Sequence, residues 1–185
     1  MTYKTNPKRQ KKFWQMLMLS IACIALLVNA SAAMAKNRKS IQMKSTIAIG
    51  ATGDAKVDVN IEMPMQAYNV VKQQFGNAQY MARQLNRSVA WSEIKDLEGK
   101  FVDAKNSVNA SLTHIGYAKP YKHGKWVIDL SKEELTLVAI ADNVAHFSAA
   151  MNMPFGATNV ICRVNLPKGS TNHRYNADKG RLFYD

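Results

Sequence analysis

The sequence predicts an α+β domain: an antiparallel β-meander sheet that opens with an N-terminal hairpin and carries one helical region packed on one face. Three observations predict it. Apolar and polar residues alternate with the period of a strand through several separate runs, one stretch switches to the period of a helix, and the links between runs are short and rich in turn residues. The rival architecture is a β-sandwich in which the helix is an insertion.

Elements are justified in chain order. Residues 1–12 carry Lys4, Lys8, Arg9, Lys11 and Lys12 without an acidic residue, and no charge follows until Lys36. An apolar run from Phe13 to Val28 then gives way to small residues, with Ala33 and Ala35 at the minus-three and minus-one positions of an A-x-A cleavage site. Residues 1–35 are therefore expected to be a secretory signal peptide, with one exported domain in 36–185. The alternative is an uncleaved anchor, since the 23 uncharged residues from Phe13 to Ala35 match the roughly 20 that cross a bilayer. Either way the body faces a periplasm or the exterior, and a membrane is met only through that segment.

Ile41, Met43, Ser45, Ile47 and Ile49 alternate with polar neighbours, the turn residues of 50–54 follow, and Val57, Val59, Ile61 and Met63 resume the alternation. These runs predict the hairpin, ended by Pro64. Through residues 66–85 the apolar positions Tyr68, Val71, Phe75, Ala78 and Ala82 recur at three- and four-residue steps, as on one face of a helix. Further strands are expected over 94–102, 108–118, 125–130, 135–141, 144–147 and 159–166, with a last short pair around Arg174 and Leu182. The run 135–141 is apolar on both faces, which predicts a central, covered strand.

Composition narrows the function. The formal charge of +12 falls to +7 once the five cationic residues of the leader are removed. That is basic enough to favour an acidic protein or an anionic surface, yet it lacks the dense Lys/Arg stripe of a nucleic-acid binder, so no nucleic acid is expected. Cys23 leaves with the leader, and Cys162 alone cannot form an intramolecular disulfide.

No G-x-S-x-G, H-E-x-x-H, C-x-x-C or P-loop spacing occurs, so no enzyme and no cofactor are expected. Cys162 falls between Val160 and Val164 on a strand, the place of a buried and inert thiol. Two basic segments are the candidate recognition residues. The first, residues 117–126, interleaves Lys119, Lys122, His123 and Lys125 with Tyr117, Tyr121 and Trp126, a pattern in which cations and aromatic faces can grip an anion. The second, a loop over 168–181, holds Lys168, His173, Arg174 and Lys179. Whether the two adjoin is a question for the fold.

A weaker candidate is a soft-metal set for copper, His146 on the expected strand 144–147 with Met151 and Met153 in an expected loop over 149–156. The function expected is a non-catalytic binding or scaffolding domain, an accessory protein or subunit of a periplasmic or cell-envelope system. The alternative is a carrier holding a small apolar or lipid ligand between helix and sheet.

Overall fold

The computed structural model describes residues 40–78, 94–131, 135–153 and 156–185, the side chains of 151–153 and 156 excepted. The proposed leader, most of the second half of the expected helix and Trp91 lie outside these residues.

Local chemistry sets the elements. Strict alternation over β1 (Ile41–Ile49) buries every odd-numbered side chain, and the same holds for Ala55, Val57 and Val59 of β2 (Ala55–Glu62). The two pair antiparallel, Gln42 opposite Glu62 through Ile49 opposite Ala55. Helix α1 (Met65–Phe75) begins after Pro64 and stops where Gly76 takes a φ of +68°, a conformation natural to glycine at a helix C-terminus. It buries Tyr68 and Val71 against Val108 and Phe101. Next come β3 (Ile94–Val102), β4 (Ser107–His114), β5 (Ala118–Pro120), β6 (Trp126–Asp129), β7 (Thr136–Ala141), β8 (Val144–Met153), β9 (Gly156–Asn165), β10 (Arg174–Asn176) and β11 (Arg181–Tyr184).

The molecule is thus rich in sheet, with one helix among the described residues. A seven-stranded sheet runs β3-β4-β2-β1-β9-β8-β7, and a four-stranded sheet runs β10-β11-β6-β5. The expected simple meander needs correction, because β1 and β9 pair parallel, Ile41 opposite Thr158 through Ala48 opposite Asn165. Tight turns make antiparallel neighbours, but β1 has a second open side, and the long return of the chain brings β9 to it in the same direction. The small sheet packs on the large one. Met43, Ile47, Phe147 and Val164 share one buried cluster with Ile128, Leu130, Leu182 and Tyr184, each such side chain contributing about 1.5–3 kcal/mol through burial. Helix α1 closes only a smaller cluster at the β3–β4 end.

A second correction concerns residues 135–141. They form β7, an edge strand and not a central one, and Val138 is 64% exposed. The register shifts between Leu137 and Ala139, so the run departs from regular alternation at Val138. A third concerns residues 149–156: the expected loop is largely strand, with β8 continuing to Met153 opposite Gly156.

The β1–β2 turn fastens the two sheets. Gly53 O accepts the Ala118 N–H at 2.8 Å, and Asp54 Oδ1 accepts the Gly116 N–H at 2.7 Å. The Gly116 bond first, and the Thr52 hydroxyl next, hold the Asp54 carboxyl below its ordinary value. Gly53 is required: a Cβ there would lie 2.5 Å from Ala118 O at a φ of +82°.

Candidate functional site

The first basic segment lies in the β5–β6 hairpin. Its tip is closed by the backbone, Tyr121 N donating to Lys125 O at 2.6 Å, while His123 (φ +60°) and Gly124 (φ +77°) make the reversal. Closing the loop through backbone leaves the side chains of Lys122 and His123 to solvent, where both are exposed. Tyr121 is 44% exposed and rests edge-on against Phe183, ring centroids 5.4 Å apart.

Tyr117 does not join them. It is buried, 8% exposed, edge-on to His114 at 5.2 Å. It stands at the β4–β5 connection, where the chain crosses from the large sheet to the small one, and an apolar ring there serves the core. Trp126 is half-buried, stacked on Tyr184 at 6.4 Å; burial pushes the Tyr184 hydroxyl up to about 12.

The second basic segment is brought to the same end of the small sheet. β11 lies between β10 and β6, both antiparallel to it, so the starts of β10 and β6 flank the finish of β11. Asp185 is the junction. Its backbone exchanges hydrogen bonds with Thr171 at 3.0 and 3.1 Å. Its carboxylate accepts the Asn172 amide at 2.7 Å and pairs with Lys125 Nζ at 3.6 Å. Across the sheet, register aligns Arg174, Phe183, Val127 and Lys119 in one row. Arg174 is exposed, and Lys119 and Phe183 are half-buried. His173 is half-buried with Nε2 3.0 Å from Ser170 Oγ. Lys168 is exposed in the turn that enters this segment. Lys179 is placed elsewhere: it sits in the β10–β11 turn at the opposite end of the sheet, beside Gly180, whose carbonyl accepts Leu130 N–H at 2.8 Å.

Lys119, Tyr121, Lys122, His123, Lys125 and Arg174 therefore share one end of the small sheet, with His173 beside Arg174 at that end. Cations here flank an exposed ring, an arrangement suited to anionic groups with some apolar character. Asp185, Asn172 and Phe183, which organise this end, escaped the sequence reading. Asp185 is sixty residues from Lys125, and no local pattern announces such a contact.

The outer face of the large sheet is chemically different. Lys44, Thr46, Asp58, Asn60, Glu98 and Lys100 line a hollow of about 670 Å³, with Asn60 Nδ2 donating to Asn109 Oδ1 at 2.7 Å. Its lysines are matched by carboxylates, so it exerts no one-signed field. Asp103 serves architecture, accepting from Tyr68 Oη and Lys72 Nζ, each at 2.5 Å, and so tying α1 to the turn before β4.

Among the described residues no three His, Cys, Asp or Glu side chains gather as metal ligands. His146 lies opposite Arg163 on β8, and the backbones of Met151 and Met153 pair with Thr158 and Gly156. Cys162 is 1% exposed, with Phe147 and Ser45 as its register neighbours. No helix among the described residues is long and apolar enough to cross a membrane. Comparisons with family models, with curated proteins and with solved structures find no match.

Proposed function

We infer that the protein is an exported, non-catalytic binding or scaffolding domain, an accessory protein or subunit of a periplasmic or cell-envelope system. The reading takes residues 1–35 as a leader or anchor and 36–185 as one α+β domain. Its target is an acidic partner protein or an anionic surface, met through the basic aromatic end of the small sheet. One observation carries the reading: Asp185 joins two sequence-distant basic segments, through Lys125 and Asn172, into a single surface. A scattered positive charge would serve solubility alone, whereas convergence beside an exposed ring concentrates a field on one target.

The carrier reading has less support. Where the described residues meet, Tyr68 and Val71 close directly on Val108. The copper reading turns on the side chains of Met151 and Met153, which lie outside the described residues.

The test is capture of envelope material by the protein, with vesicles containing phosphatidylglycerol as a defined probe and phosphatidylcholine vesicles as reference. Retention on the anionic target that weakens with salt is expected. Changing Lys122 and Arg174 together to alanine should lower affinity about tenfold, or about 1.4 kcal/mol. Equal capture by that variant, or a measurable turnover without any envelope partner, would overturn the reading.

A further inference from the structure

A basic surface loses attraction for an anion wherever it holds a carboxylate of its own. At the basic end of the small sheet the Asp185 side chain sets one oxygen toward each segment: Oδ2 accepts the Asn172 amide at 2.7 Å, and Oδ1 lies 3.6 Å from Lys125 Nζ. The backbone makes this joint without the side chain. Asp185 N donates to Thr171 O at 3.0 Å, Asp185 O accepts the Thr171 N–H at 3.1 Å, and Tyr184 opposite Trp126 keeps the β5–β6 hairpin alongside. The two segments therefore stay adjacent whatever charge the side chain carries. The ion pair itself is wet, its side chains 43% and 33% exposed, and such a pair gives way readily to other ions. Lys122 and Arg174 are exposed and pair with no carboxylate among the described residues.

We propose that the Asp185 carboxylate is a built-in competitor at this surface. It occupies Lys125 and Asn172, the two donors that an anionic oxygen of the target would take, and binding exchanges the internal anion for the external one. This deepens the anion-binding reading of the same end and rests on it. A cation and an amide from different segments, brought to one carboxylate, form a place shaped for an anion. Keeping an internal carboxylate there holds affinity below what the cations could give. A single small anion gains little by replacing one charge with another. A target bearing several anionic groups is drawn first by Lys122 and Arg174 and then displaces Asp185 at high local concentration. The competitor thus selects dense anionic targets over dilute ones.

The experiment measures binding of the protein as isolated to vesicles containing phosphatidylglycerol, against phosphatidylcholine vesicles, for the parent, Asp185→Asn, Lys125→Ala and the double variant. Asparagine keeps an oxygen for the Asn172 amide and removes only the charge. Asp185→Asn is expected to bind about two- to fivefold tighter, a gap that closes as salt rises. In the Lys125→Ala background the same change should lose most of that gain, since no ammonium is left to release. Melting curves that match the parent's are expected, because both side chains are partly exposed. Equal or weaker binding by Asp185→Asn overturns the proposal, while retention of the parent on anionic vesicles keeps the surface. A gain undiminished without Lys125 also overturns it, the charge then acting at a distance. If parent and variants alike ignore the anionic vesicles, the anion-binding reading falls and the competitor falls with it.

Discussion

The two sheets divide the labour of the molecule. The large one is centred on long, strictly alternating strands, β1 and β9, and its interior face is sealed: Met43, Ile47, Phe147 and Val164 are essentially inaccessible. Its wet face balances lysines with carboxylates. The small sheet has strands of three or four residues, too short to stand alone. It is held by contacts made at its margins, Gly53 to Ala118, Asp54 to Gly116 and Tyr175 Oη to Leu135 O. Yet at one end it sets exposed cations beside the exposed Tyr121. On the proposed function, stability and recognition are carried by different layers, so each can be altered with limited cost to the other.

The largest effect expected is at the layer boundary. Phe147 is fully buried, edge-on to Tyr175 of the small sheet at 5.2 Å, and Phe147→Ala should cost about 3–5 kcal/mol in denaturant unfolding. Next is Gly53→Val, which forces a side chain into Ala118 O at a positive φ and should cost about 1–3 kcal/mol. If the sheets are as separable as the comparison holds, amide exchange should rise first in β5 and β6 and only later in β1 and β9.

Acid should loosen the same fastening. The folded-state value of Asp54 lies below the ordinary 3.8 because its carboxylate accepts from Gly116 and Thr52. That contribution is complete above the ordinary value and is lost as pH falls through the lower folded one. Asp54→Asn should flatten that part of an unfolding-against-pH profile. Helix α1 should respond at the other extreme. Burial first, then the bond to Asp103, pushes Tyr68 up to about 12, so its contribution is complete below 10 and fades as pH rises through 12. Tyr68→Phe should remove that alkaline dependence. The smallest stability effect belongs to Lys122→Ala and Arg174→Ala, each within about 0.5 kcal/mol of the parent, although both should lower anion binding.

Much of the fold was legible because period-two alternation is a local signal. It placed β1, β2, β6 and the short closing pair, and it set Cys162 on a buried face. Pairing over distance was not legible. Nothing in residues 41–49 says that residues 158–165 will run beside them, and the uniform apolarity of 135–141 suits a central strand as well as an edge. The candidate site was half legible. Its cations and Tyr121 stood out by composition, but alternation cannot tell that Tyr117 faces the core or that Lys179 sits at the far end of the sheet. The joint at Asp185 exists only once three chain segments meet.

The most direct measurement is a titration of the isotope-labelled protein with phosphatidylglycerol-containing nanodiscs, followed by amide chemical shifts. Residues 119–125 and 171–174 should move together with one affinity, while Lys179 and the lining of the large-sheet hollow stay still. Shifts confined to one segment, or centred on Lys179 or the large-sheet face, would contradict the claim that two basic segments form one recognition surface.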